Sequence, residues 1–138
     1  MRNRPTTVSV RSNRSGATTV ELALVLPVLF LVIFASFEFS RLNMLKHLAD
    51  AAAYEGAREG IIIGANTSDV EGRANAILAA GYVVGATITT TPSTITETTT
   101  IVQVDVSIPV ANNFWVMPAY ASGTIAGSCR LKTEREGN

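Results

Sequence analysis

The sequence predicts an α+β fold: a long N-terminal helix, transmembrane in its first half, packed on a small antiparallel β-sheet, with a short second helix. Three observations predict it. Residues 22–37 are sixteen consecutive positions without a charge. Past them Leu42, Leu45, Leu48, Ala49, Ala52 and Ala53 recur at spacings of three and four, the mark of one helical face. Farther on, Val102, Val104, Val106 and Ile108 alternate with Gln103, Asp105 and Ser107, the period of a strand with one buried face. In a chain of 138 residues these features divide into a basic leader at 1–16, a membrane helix at 17–40 and an exported α+β domain at 41–138.

The leader carries Arg2, Arg4, Arg11 and Arg14 and no acid, although the formal charge of the whole chain is zero. Everything after Gly16 therefore holds seven Lys/Arg against eleven Asp/Glu, a net of −4. An acidic body excludes nucleic acid as the expected partner, because phosphate contacts need clustered Lys and Arg. The basic leader reads instead as a topology signal. By the positive-inside bias it holds the N-terminus in the cytoplasm, with the C-terminal domain periplasmic or extracellular.

The helix beginning at Ala17 stays apolar to Phe39 and is interrupted only by Glu21 and Glu38. At 1.5 Å per residue this stretch reaches roughly 34 Å, enough to cross a hydrocarbon core of about 30 Å. Pro27 lies inside it and is expected to kink the helix, which a membrane tolerates when neighbouring groups satisfy the freed carbonyl. A cleaved secretory signal peptide is the competing reading. It requires a small-x-small site just past the apolar run, where the sequence reads "FASFEFSRL"; the small residues of "ADAAA" come ten or more positions later.

Glu21 is an ionisable group in a spanning segment, which costs roughly 2.5–3.5 kcal/mol at the bilayer centre and less near the interface. One explanation is local: a carboxylate near a helix N-terminus gains about 0.3–1 kcal/mol from the macrodipole. Another takes Gly16 with it. "GATTVE" ahead of a long apolar helix resembles the processing site of type IV prepilins, and the longer stretch resembles the TadE family of pseudopilin-like components of tight-adherence, Flp-type pilus systems. The points of likeness are Gly16 and Glu21, the pair Leu26 and Pro27, the "FEFSRL" containing Phe37, Glu38, Phe39 and Arg41, and the "EGAREG" containing Glu55, Gly56, Ala57 and Arg58. They span about residues 14–62. Leu22 departs from the family, whose members commonly carry an aromatic residue directly after the glutamate.

The resemblance implies a pilin-like layout, cleavage between Gly16 and Ala17 by a prepilin peptidase, and a mature chain in which the glutamate is fifth. It makes the expected function that of a minor pseudopilin or assembly component of the pilus. The expected partners are that peptidase, other pilin or pseudopilin subunits with the assembly platform, and inner-membrane lipid. Glu21 would then pair with the terminal ammonium of a neighbouring subunit, a pair favoured in lipid because both charges are otherwise stranded. Gly16 would suit a protease cleft that takes an extended segment without a side chain. The competing function is a single-pass, membrane-anchored periplasmic binding or adaptor protein that keeps its N-terminus.

In the exported part, the first helix is expected to continue to about Ile62. Its small-residue stripe suits either packing on the protein's own sheet or contacts between subunits. "GANTS" at residues 64–68 breaks the helix, and Ser68 with Glu71 has capping-box spacing for a second helix ending at Gly81. Strands are expected at residues 82–91 and 98–108 around a turn at "TPSTITE", with a third at 123–132. The nine threonines in residues 87–100 are open to O-glycosylation or to service on an exposed strand face. The loop "NNFWVMPAY" at residues 112–120 holds the only tryptophan, placed either to dock a partner or to cap the protein's own core.

No catalytic constellation is legible. His47 stands without a second histidine or a cysteine for a metal site and reads as a surface residue. Cys129 is the only cysteine, which excludes an internal disulfide and makes a buried, inert thiol the expectation. There is no glycine-rich phosphate loop. The chain is thus expected to have no enzyme activity, no cofactor or metal, and no small-molecule substrate.

Overall fold

A computed structural model describes residues 14–115 and 122–133 and has the expected α+β arrangement. Helix α1 runs from Arg14–Gly60, α2 spans Thr67–Ala80, and three strands follow, β1 at Thr87–Thr91, β2 at Ile101–Pro109 and β3 at Thr124–Lys132. The chain divides into two compact units between Ala35 and Ser36, and α1 contributes to both.

In the first unit, α1 has no glycine after Gly16 and runs through Pro27 as one helix. Leu, Val, Ile and Phe hold eleven of the thirteen positions 22–34, and every residue in 16–35 is exposed. α1 is the one helix among the described residues that is long and apolar enough to cross a membrane, and none of its apolar stretch is buried by the protein. A continuous apolar surface of this length requires a cover that the described residues do not provide.

The second unit begins at Ser36 and is built on the other half of α1. Leu45, Ala49, Ala52, Ala53 and Ala57 are buried to within 1% and form the core with Val70, Ala74 and Leu78 of α2 and Val102, Val104, Val106 and Ile108 of β2. The sheet order is β1-β2-β3, antiparallel throughout. Register places Ile88 and Thr90 of β1 and Ile125, Gly127, Cys129 and Leu131 of β3 opposite the four buried residues of β2, so all share the inner face. The outer face carries Thr87, Thr89, Thr91, Gln103, Asp105, Ser107, Ser128 and Arg130, which accounts for the threonines of β1 as an exposed strand face.

The small-residue stripe belongs to this interface within the chain. A Cβ on Gly127 would lie 2.5 Å from the Ala49 carbonyl oxygen and 2.7 Å from the Asp50 nitrogen, so β3 lies directly against the α1 backbone. One on Gly60 would meet Val102 Cγ1 at 2.9 Å. Helix and sheet approach this closely because alanine and glycine stand where larger side chains would hold them apart.

Four boundaries differ from the expectation, each for a local reason. α1 stops at Gly60, two residues early, in a turn closed by Ile62 N–H donating to the Glu59 carbonyl at 3.2 Å. The cap of α2 is Asn66, whose Oδ1 accepts from Asp69 N–H at 3.1 Å while Asp69 Oδ2 accepts from Asn66 N–H at 3.1 Å. Ser68 bonds only Asn66 Oδ1 and lies within the helix, so the Ser68 and Glu71 reading is corrected by two positions. β1 begins at Thr87, five residues late, because residues 82–86 leave the helix through left-handed turns at Tyr82 (φ 53°) and Gly85 (φ 72°). β2 begins at Ile101, because Thr96 N–H donates to Thr99 Oγ1 and Thr99 N–H to the Thr96 carbonyl, both at 2.9 Å, which turns the preceding threonines back on themselves.

Candidate functional site

The residues singled out in the sequence separate into three groups along α1. Gly16 and Ala17 lie in its first turns, and Glu21 follows on the same helix; all three are exposed. Gly16 is thus helical, not extended as a protease cleft would hold it. It nevertheless sits where the first N–H groups have no intrahelical acceptor, and glycine weakens that turn further. Ala17 and Glu21 are four residues apart, a spacing that puts both on one side of the helix. Leu26, Pro27, Phe37 and Phe39 are also exposed, Phe37 by 61% and Phe39 by 68%.

The second group is built from Glu38 and Arg41, three residues apart and both half-buried. Glu38 Oε1 accepts the Trp115 backbone N–H at 3.1 Å. Arg41 Nη1 donates to the Gly81 carbonyl at 3.3 Å and to Met44 Sδ at 3.6 Å, and the guanidinium carbon lies 5.9 Å from the centroid of the Trp115 ring. These two residues of "FEFSRL" therefore hold the end of α2 and the loop after β2 against α1. Asn113 completes the clamp. Its Oδ1 accepts from Val84 N–H at 3.0 Å, and its Nδ2 donates to the carbonyls of Val84 and Pro109, both at 2.9 Å. No pattern in the sequence marks Asn113, since a buried asparagine in a loop carries no periodicity.

Of the two expectations for the tryptophan loop, capping the core does not hold for Trp115, which is 78% exposed; among the described residues of the loop Asn113 is the buried one. Residues 116–120 of that loop lie outside the described residues, as does the leader before Arg14.

The third group is structural. Glu55 is half-buried between Arg73 at 3.2 Å and Arg58 at 3.7 Å, joining α1 to α2. Gly56 and Ala57 are buried; a Cβ on Gly56 would touch Ala74 Cβ and Val70 O at 3.4 Å. His47 is exposed. Cys129 is half-buried on the inner sheet face, and burial raises its thiol above the usual range. No group of His, Cys, Asp and Glu among the described residues is arranged to hold a metal ion.

Residues 16–58 match the family described as TadE-like protein. That stretch holds the α1 members of all three groups and ends one residue past Ala57, the last core residue of α1. No curated protein matches the chain, and no solved structure does.

Proposed function

From a chain that carries a TadE-like segment at residues 16–58, we propose a membrane-anchored minor pseudopilin or assembly component of a tight-adherence, type IV-like pilus, processed by a prepilin peptidase after Gly16. The observation that carries this reading is the uncovered apolar half of α1. Lipid covers such a surface before assembly, and neighbouring subunits cover it within a pilus-like bundle. The N-terminus is cytoplasmic, the α+β unit lies across the inner membrane, and the protein acts by packing and not by catalysis.

Cleavage after Gly16 would remove the leader arginines and create an ammonium group at Ala17, the natural partner of the Glu21 carboxylate. Because Ala17 and Glu21 are four apart, the pair can form within one chain or between two. Pairing between subunits gives Glu21 its role in assembly, since an incoming chain is then recognised by the charge it neutralises.

Glu21→Gln tests this. The variant keeps the size and lowers the insertion cost, so it should insert and be cleaved as the parent is. Its incorporation, read by crosslinking to pilus partners, should fall by the equivalent of roughly 3 kcal/mol where the intersubunit pair is buried. Parental crosslinking yields would mean that Glu21 acts only within its own helix, where the macrodipole is worth less than about 1 kcal/mol.

A further inference from the structure

Three segments meet at the level of α1 where its apolar run ends. Glu38 takes the Trp115 N–H, Arg41 takes the Gly81 carbonyl and lies beside the Trp115 ring, and Asn113 ties Val84 to the same loop. The last position of the apolar run, Phe39, lies between Glu38 and Arg41. On these tied segments Trp115 is 78% exposed, Tyr82 86% and Val84 59%.

Tyr82 is the most informative. α2 ends with Val83 N–H donating to the Leu78 carbonyl at 3.1 Å and Tyr82 N–H to the Ala79 carbonyl at 3.0 Å, the paired bonds of a Schellman motif. Tyr82 occupies the left-handed position of that motif, with φ 53°, where glycine is the usual residue and a side chain adds strain. A side chain exposed by 86% gains no packing within the chain that would offset this strain. Its use lies outside the fold.

We propose that Tyr82, Val84 and Trp115 form a seat in the headgroup region of the leaflet from which α1 emerges. The inference rests on the reading of α1 as a spanning helix. Lipid is the occupant because the same helix enters the hydrocarbon within a turn of the clamp. Tyr and Trp, moreover, are the side chains whose apolar bodies and polar tips suit that depth. The arrangement also explains Glu38: the Trp115 amide hydrogen-bonds a carboxylate that stands within the apolar run.

Trp115 is the only tryptophan in the chain and reports its own position. The full-length protein is reconstituted at high lipid-to-protein ratio in phosphatidylcholine/phosphatidylglycerol vesicles, with carbonate extraction to establish integration. Emission is then measured with lipids brominated high on the acyl chain and with aqueous iodide. The seat predicts blue-shifted emission, strong quenching by brominated lipid and weak quenching by iodide.

Moving the reporter gives the ruler. Trp115→Phe with Tyr82→Trp should behave the same way, whereas Trp115→Phe with Tyr54→Trp, roughly 20 Å farther along α1 from Arg41, should be quenched by iodide and not by lipid. Trp115→Phe keeps an aromatic ring beside Arg41. Tyr82→Gly should raise the unfolding midpoint while weakening the lipid quenching of Trp115, a combination that a purely structural tyrosine would not produce. Iodide quenching without lipid quenching in an integrated protein overturns the seat and leaves the spanning helix standing. Shielding that disappears on dilution in lipid also overturns it, because a second copy would then be the cover. Extraction by carbonate removes both readings.

Discussion

Asn113, buried, and Cys129, half-buried, show what single groups do in this small core. Asn113 uses both ends of its amide, accepting from one backbone N–H and donating to two backbone carbonyls. Asn113→Asp keeps the shape and the acceptor but removes the donor, leaving two carbonyls facing a carboxylate. It should destabilise the α+β unit by roughly 2–4 kcal/mol, read as a lower urea midpoint for the full chain in micelles; an unchanged midpoint would show that water satisfies those carbonyls. Cys129 titrates the other way from a reactive thiol. Burial raises its pKa in the folded state, so folding favours the neutral form. That contribution is complete below the unfolded value and is lost as pH rises through the folded one. Maleimide labelling near neutral pH should therefore be slower in the native protein than in the denatured one, and equal rates would place the thiol in water.

The second helix and the strands are set by short-range chemistry that sequence patterns report unevenly. Asn66→Ala should cost about 1 kcal/mol through loss of the cap, measured by the same urea midpoint, whereas Ser68→Ala should change it little because the Ser68 hydroxyl serves only Asn66. The reverse order would restore the Ser68 reading. β2 was legible because one face is buried at every second residue, and Val102 to Ile108 follow that period without exception. β1 was over-extended because residues 82–86 have strand-like composition but are spent on the exit from α2, where φ at Tyr82 and Gly85 is decided by turn geometry. The helix cap was displaced because "NTSD" offers several capping residues in succession, and only the hydrogen bonds select among them. Glu38 and Arg41 stood out in the sequence as a motif. Their partners Gly81 and Trp115 could not, being 40 and 77 positions away.

At the scale of the molecule, the protein combines a helix half that its own fold leaves uncovered with a unit whose core is complete. The stripe of small residues is spent on the sheet within the chain, so the surfaces left for partners are the apolar half of α1 and the outer face of the unit. On the proposed reading, assembly through the helix follows removal of the leader arginines, because four cations ahead of the span would hold each chain in its own membrane orientation and crowd together in a bundle. On that reading, release of the leader exposes the Ala17 amine. Intact-mass measurement of the protein extracted from its native membrane tests it most directly, in cells with an active prepilin peptidase. A chain that begins at Ala17 is expected; one that still begins at Met1 overturns the proposed processing.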